Sequence, residues 1–213
     1  MGMLSIGVLN RFLCRLQRRP ALVDGPGRDM DTELPYVRVT NFLPSASADE
    51  ILENLFQQQD GFRLRGHQTA SGRSTFYRMS QPFTPTPLFL RRLMWALAEV
   101  ERLFALDLSE PEVELRAQAY NDGSVFGLHS DAAAGGPNWK RRVSGVYYLH
   151  GRPRRFSGGD LAILDKRGRR HLVAADHNSI VIFERDAPHE VLPVSCPSKR
   201  FEDSRFGINV WIS

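Results

Sequence analysis

The sequence has little cysteine, no long apolar run and no low-complexity tract. Its only two cysteines, Cys14 and Cys196, are too few for a disulfide scaffold or a four-thiolate zinc site. No segment approaches the ~18 consecutive apolar residues of a membrane-spanning helix. With 42% hydrophobic residues in 213, the chain can still enclose one sizeable core. We therefore expect a soluble, cytoplasmic protein whose cysteines are reduced thiols and which has no membrane partner.

Most of the chain also has little excess of charge of either sign. The 28 basic and 24 acidic residues leave a formal net charge of +4. Residues 1–28 alone hold five arginines and one acid, so the remainder is close to neutral. The basic balance therefore belongs to the N-terminal end and does not favour a nucleic-acid partner. Nothing in the composition predicts an oligomeric state.

The first 34 residues differ from the rest and are predicted to be a basic extension. Apolar residues in 1–20 recur at three- and four-residue steps, which is typical of an amphipathic helix. A glycine- and proline-containing stretch at 24–29 ends that pattern. Three interpretations stay open: a packed or frayed extension, a targeting segment, and a start codon assigned too early, with Met30 one alternative start. A single folded domain is predicted to span 35–213.

The patterns after the extension predict an α+β fold that is mainly β. A strand is predicted at 36–39, followed by a helix at 47–58 with a capping box at 47–50, and by a second helix at 87–105. A polar segment without predicted structure occupies 64–74, before a strand at 75–79. Short strands separated by turns then follow, at 112–120, 143–149, 160–164, 171–174, 179–183 and 206–212. This order predicts an antiparallel sandwich or barrel braced by the N-terminal helices.

Two histidines and an aspartate are the candidate metal ligands. His129 and Asp131 flank Ser130, and side chains two apart in extended chain point to the same side. His189 directly follows a predicted strand. Two histidines and one carboxylate form the facial triad that suits ferrous iron, because three positions of the octahedron stay open. A zinc site with the same ligand types remains an alternative.

Arg205 is the candidate anion-binding residue. It begins the last strand, and period-two alternation places it on the same face as Trp211. An arginine inside a strand needs a carboxylate partner, which a dicarboxylate bound to the metal by its other end would supply. Arg200 and Lys199, in a stretch at 196–204 that lengthens the gap after His189 to 16 residues, are rival anion binders.

Taken together and in this order, these motifs resemble the iron(II)/2-oxoglutarate-dependent dioxygenases, and within them the prolyl-4-hydroxylase-like branch. The segments that carry the resemblance span roughly 112–212. Besides the metal ligands and the last strand, they are Tyr-Asn-Asp-Gly at 120–123, Val-Tyr-Tyr-Leu at 146–149, Phe-Ser-Gly-Gly-Asp-Leu at 156–161 and His-Glu-Val at 189–191.

The resemblance implies a double-stranded β-helix (jelly-roll) core and a defined set of cofactors. The two histidines and the aspartate would hold Fe(II), which 2-oxoglutarate would chelate in the presence of O₂. Ascorbate is expected as a supporting reductant. The far carboxylate of 2-oxoglutarate would pair with Arg205, helped by a tyrosine hydroxyl, with Tyr147 expected first and Tyr120 second.

The resemblance also implies hydroxylation of an unactivated C–H bond, with a proline-like side chain in a peptide or protein as the expected substrate. A free amino acid or a small natural product is the alternative substrate. A nucleic-acid demethylase and a non-catalytic metal-binding jelly-roll are weaker alternatives. Arg78, Lys140, Arg141 and Arg142 are candidates for contacting a carboxylate or phosphate of the substrate.

Overall fold

A computed structural model describes residues 35–69, 72–132 and 140–213, which form a mainly β structure. The predicted extension at 1–34 lies outside the described residues, so the domain division stays a prediction. Within the described ranges there are two α-helices and thirteen strands. The strands are β1 Tyr36–Thr40, β2 Phe62–Thr69, β3 Gly72–Met79, β4 Val113–Tyr120, β5 Phe126–His129, β6 Val143–Leu149, β7 Ser157–Gly158, β8 Leu161–Leu164, β9 Arg170–Val173, β10 Ser179–Glu184, β11 His189–Val191, β12 Val194–Ser195 and β13 Arg205–Ile212.

Both predicted helices are present, and one begins differently from the prediction. Helix α2 spans Pro87–Phe104, with the Thr86 hydroxyl accepting a hydrogen bond from the backbone N–H of Phe89 at 3.2 Å. Helix α1 spans Ser45–Gln57 and has Pro44 at its N-cap without a side-chain cap. The capping box predicted at 47–50 is therefore wrong, because those residues already lie inside the first turns.

The strands form two main antiparallel sheets, as a jelly-roll requires. A seven-stranded sheet has the order β1-β10-β6-β13-β4-β3-β2, and a four-stranded sheet has the order β5-β11-β8-β9. Strands β12 and β7 form a separate short pair. Apolar side chains from both main sheets share one buried cluster, so the two sheets pack face to face. The predicted fold class is confirmed by this architecture.

The seven-stranded sheet separates two cores, and its strands alternate between them. In β13 the even-numbered residues join the cluster formed with α1 and α2, whereas Arg205 and the other odd-numbered residues face the smaller sheet. The helices thus brace the outer face, as predicted. The space between the sheets is left for the side chains that carry chemistry.

Several short or polar strands escaped the sequence prediction. The polar segment 64–74, for which no strand was predicted, contributes to β2 and β3, which form a hairpin at the sheet edge. Strands β5 and β11 have four and three residues, too few for an alternation pattern to be visible. Among the described residues, no helix is long and apolar enough to cross a membrane.

Candidate functional site

The three predicted metal ligands meet between neighbouring strands of the smaller sheet. His129 ends β5, and His189 begins β11 directly opposite it in the antiparallel register. Their ring centroids are 4.2 Å apart. Asp131 follows two residues after His129, and the ligand atoms of all three lie within 4.8 Å of one another. This spacing allows one ion to contact all three side chains.

Backbone contacts orient both imidazoles toward the common point. Nδ1 of His129 lies 2.9 Å from the carbonyl oxygen of Gly127, and Nδ1 of His189 lies 2.9 Å from that of Ala187. Each Nδ1–H donates to its carbonyl, so the lone pair of each Nε2 is free to bind a metal. Burial and the neighbouring His129 lower the pKa of His189 to about 4. The neutral imidazole that a metal needs is therefore the favoured form.

Two hydrogen bonds hold the carboxylate of Asp131. The Ser144 hydroxyl donates to Oδ2 at 2.6 Å, and Nε1–H of Trp211 donates to the same oxygen at 2.8 Å. Burial opposes ionisation of Asp131, but the nearby His189 and these two donors outweigh it, so the pKa of Asp131 lies below its usual value. The sequence analysis did not assign roles to Ser144 or Trp211, which face each other across β6 and β13.

Arg205 is buried on the seven-stranded sheet, at the opposite end of β13 from Trp211. Its side chain is 1% exposed, and its guanidinium lies 4.8 Å from the ring centroids of both Tyr120 and Tyr148. Its Nε and Nη2 atoms have no hydrogen-bond partner among the described residues. A buried, unpaired guanidinium is costly, so this arrangement requires an anion to complete it.

The structure corrects the first choice of tyrosine. Tyr147 faces the helix side of the sheet, where its hydroxyl donates to Oδ1 of Asn178 at 2.9 Å. Its neighbour Tyr148 points to the opposite face because successive residues of a strand alternate. The Tyr148 hydroxyl is buried and has no hydrogen-bond partner among the described residues, and burial raises its pKa to about 12, so it remains a donor. Tyr120 lines the cavity, but its hydroxyl already donates to Oε1 of Gln118 at 2.9 Å.

Two glycines leave room around the arginine. Gly159 has a φ of +75°, and a Cβ there would lie 2.8 Å from Cδ of Arg205. A Cβ at Gly207 would lie 3.1 Å from Cγ1 of Val146 and 3.7 Å from Nη1 of Arg205. Larger residues at either position would press on the guanidinium or its surroundings, so both glycines support the present position of Arg205.

The rival anion binders do not face this site. Arg200 is 69% exposed and pairs with Glu202 at 3.6 Å, and Lys199 is 72% exposed with Nζ 4.0 Å from Asp122. Both lie on the loop before β13, and neither lines the cavity that contains the histidines. Arg205 is the better-placed anion binder of the three.

One cavity of about 530 Å³ lies between the sheets, and its lining includes the three candidate metal ligands, Arg205, Tyr120 and Trp211. The triad lies at one end of the cavity, Arg205 lies deeper along β13, and Phe76 and Phe126 form an aromatic wall beside them. The donor set fits ferrous iron, since two nitrogens and one carboxylate oxygen leave three positions of an octahedron open. The unpaired atoms of Arg205 fit one carboxylate of a metal-bound dicarboxylate. The arrangement is therefore that of a metal site with room for an anionic cosubstrate beside the ion.

Comparison of the chain with known proteins agrees with this class. Residues 115–213 match the family model described as the 2OG-Fe(II) oxygenase superfamily. A curated relative, an uncharacterized PKHD-type hydroxylase from Synechocystis sp., is 29% identical over 192 residues, covering 83% of this chain. The chain spans 62% of the length of that relative.

Solved structures share the fold at low sequence identity. A Pseudomonas putida prolyl-4-hydroxylase has a TM-score of 0.57 and 19% identity, covering 84% of this chain and 91% of its own. A prolyl hydroxylase from Trichoplax adhaerens, solved with a hypoxia-inducible-factor peptide fragment, has a TM-score of 0.53 and 17% identity, covering 84% and 83%. The chain is thus similar to the 2OG-Fe(II) oxygenase superfamily over residues 115–213 and to a PKHD-type hydroxylase, and it shares its fold with solved prolyl hydroxylases.

Proposed function

We propose that the protein is an Fe(II)- and 2-oxoglutarate-dependent oxygenase that hydroxylates an unactivated C–H bond. The observation that carries this proposal is the pairing of a two-histidine, one-carboxylate cluster with a buried arginine whose Nε and Nη2 have no partner in the described part of the chain. When bound, iron and 2-oxoglutarate supply the oxidising chemistry with O₂, and succinate and CO₂ leave as products. The protein supplies binding, orientation and a protected cavity.

The metal ligands proposed are His129, Asp131 and His189. Carbonyl acceptors fix both imidazole rings, so Nε2 of each is directed at the ion without rotation of the side chain. Ser144 and Trp211 hold one oxygen of Asp131, which restricts the carboxylate to one orientation and keeps it ionised. These contacts support rapid assembly of the metal site with little reorganisation.

The cosubstrate site proposed combines Arg205 with Tyr148. The guanidinium offers two nitrogens, Nε and Nη2, without partners in the described ranges, and the Tyr148 hydroxyl offers a third donor group on the same face of the sheet. All three would donate to the far carboxylate of 2-oxoglutarate. Tyr120 covers the guanidinium with its ring and stacks on Phe76 at a centroid distance of 5.5 Å, which excludes water from this end of the cavity.

The substrate proposed is a proline-like side chain in a peptide or protein. This is supported by the hydroxylase name of the curated relative and by two structural neighbours that are prolyl hydroxylases, one solved with a peptide. A free amino acid or a small natural product is the alternative within the same chemistry. Cytoplasmic location belongs to the same proposal, because Cys196 is a buried free thiol, the form expected in a reducing compartment.

The proposal is tested by titrating the metal-loaded protein with 2-oxoglutarate and by measuring succinate release. We expect saturable 2-oxoglutarate binding and slow succinate release that depends on iron even without substrate. His189→Ala should abolish iron loading. Absence of both binding and succinate release from correctly folded, iron-loaded protein would contradict the oxygenase assignment.

The anchor for the cosubstrate is tested with a matched pair of variants. Arg205→Ala should weaken 2-oxoglutarate binding far more than Arg200→Ala, which removes an exposed arginine of the neighbouring loop. Circular dichroism checks that both variants are folded. Equal losses in the two variants would show that the anchor lies elsewhere.

A further inference from the structure

The cavity carries more positive charge than iron and 2-oxoglutarate account for. Four arginines besides Arg205 line it, and its lining acids are Glu114 and Asp131. The other charges balance, because Fe(II) and Arg205 are offset by Asp131 and the two carboxylates of 2-oxoglutarate. The excess positive charge is therefore available to bind another, anionic ligand in the cavity. The four arginines are Arg65, Arg78, Arg116 and Arg141.

Three of these arginines are neighbours on one face of the seven-stranded sheet. Arg78 of β3 pairs directly with Gln118 of β4, so Arg116 is its diagonal neighbour. In the β2–β3 hairpin Arg63 is opposite Arg78, which makes Arg65 the diagonal neighbour on the other side. We call Arg65, Arg78 and Arg116 the arginine triplet. Like charges this close are unfavourable unless an anion joins them.

The protein itself does little to neutralise the triplet. Glu114 is shared, with Oε1 3.4 Å from Nε of Arg116 and Oε2 2.7 Å from Arg141. Arg65 and Arg78 make no ion pair within the described part of the chain. Arg78 is partly buried, and burial, followed by Arg65 and Arg116, lowers its pKa. The positive charge is thus concentrated and only partly screened by water.

The position of the triplet relative to the metal suits a substrate group. In the register of β4 and β13, Arg116 lies opposite Asn209, and Glu114 lies opposite Trp211, whose indole holds Asp131. Two residues along a strand correspond to about 7 Å. An anion at Arg116 would therefore lie within one small molecule's length of the metal ligands, beside the aromatic wall.

We propose that the arginine triplet binds a carboxylate or phosphate group of the substrate and thereby positions the carbon to be hydroxylated. This inference rests on the proposed function and specifies its substrate class as anionic. A single anionic group is favoured over a polyanion such as nucleic acid, because Glu114 stands at the same cluster and would repel a continuous phosphate backbone.

The test follows the arginine Nε–Hε signals of the ¹⁵N-labelled protein by NMR, with zinc in place of iron and 2-oxoglutarate bound. Acetate and inorganic phosphate are the probes, titrated against sodium chloride of equal ionic strength, and an eight-nucleotide single-stranded DNA is added in a separate arm. We expect saturable shifts of the Arg78 and Arg116 signals with acetate or phosphate. The tighter-binding probe identifies the anion as carboxylate or phosphate.

Variants make the test specific. Arg78→Gln and Arg116→Gln should each weaken anion binding about tenfold, the loss of one charge-assisted contact. Arg91→Gln, which removes an exposed arginine of α2, should leave it unchanged. No saturable shift in wild type, equal affinity in Arg116→Gln, or far tighter binding of the oligonucleotide than of phosphate would each overturn the proposal.

The same samples separate this inference from the proposed function. Binding of 2-oxoglutarate and its uncoupled turnover by the iron-loaded enzyme report on the oxygenase assignment, and neither requires the triplet. Normal 2-oxoglutarate binding without anion binding contradicts the triplet proposal alone. Anion binding at Arg78 without any 2-oxoglutarate binding contradicts the oxygenase assignment and leaves the anion site standing.

Discussion

Replacing each of two adjacent tyrosines by phenylalanine should separate cosubstrate binding from stability. Tyr148→Phe removes a buried hydroxyl next to Arg205 that has no hydrogen-bond partner among the described residues. Tyr147→Phe removes a hydroxyl that donates to Asn178 at 2.9 Å. The two changes are chemically identical and one residue apart. We expect Tyr148→Phe to weaken 2-oxoglutarate binding and Tyr147→Phe to lower stability.

The magnitudes follow from the contacts that each hydroxyl makes. Asn178 Oδ1 keeps a second donor, the backbone N–H of Leu43 at 2.9 Å, so Tyr147→Phe should lower the free energy of unfolding by about 1 kcal/mol. A hydrogen bond from Tyr148 to a carboxylate is worth about 1.5–3 kcal/mol, so Tyr148→Phe should weaken 2-oxoglutarate about tenfold or more. Because the Tyr148 hydroxyl has no hydrogen-bond partner among the described residues, Tyr148→Phe should destabilise the metal-free protein less than Tyr147→Phe.

Two measurements on the same preparations test this pair. Isothermal titration of the zinc-loaded proteins gives the 2-oxoglutarate affinity, and urea unfolding of the metal-free proteins gives stability. The reasoning would be refuted if Tyr147→Phe weakened 2-oxoglutarate as much as Tyr148→Phe did. It would also fail if Tyr148→Phe lost the most stability.

Two further predictions concern a close glycine contact and a buried histidine pair. Gly159→Ala and Gly168→Ala both place alanine at φ +75°, which costs about 1–2 kcal/mol of stability. Because only Gly159 has Arg205 within reach, its variant alone should also weaken 2-oxoglutarate, as titration would reveal; equal affinities would contradict the contact. His150 Nε2 and His177 Nδ1 each accept the other's backbone N–H at 3.2 Å, and burial lowers both pKa values. Since the unfolded chain binds more protons, stability should fall as pH drops below about 6.5, less steeply in His177→Asn, whose amide oxygen stays an acceptor. Urea midpoints between pH 5 and 7.5 check this, and a steeper slope in the variant would count against it.

Much of the fold was predictable because its long elements have regular patterns. Helices α1 and α2 and strands β4, β6 and β13 each present an apolar face of sufficient length. Strands β5 and β11 could not be predicted, since four and three residues carry no period. Their existence depends on pairing with each other, which is a long-range contact.

The candidate site divides in the same way. His129, Asp131 and His189 were predictable from ligand type and order, and Arg205 from its place in the last strand. Ser144 and Trp211 were missed because their role is to contact Asp131, and sequence separation of 13 and 80 residues conceals that contact. Hydrogen bonds between distant segments leave no local signature.

The sequence alone predicted the mainly β class, proposed His129, Asp131 and His189 as metal ligands, and showed that the net positive charge lies in the first 28 residues. These properties depend on residue type and short-range period, which a linear chain displays directly. Only the tertiary structure decided that Tyr148 faces Arg205 while Tyr147 faces the helices, and that three arginines from different strands converge beside the metal site. The physical reason is register: strand pairing determines which face each side chain occupies and which distant side chains become its neighbours.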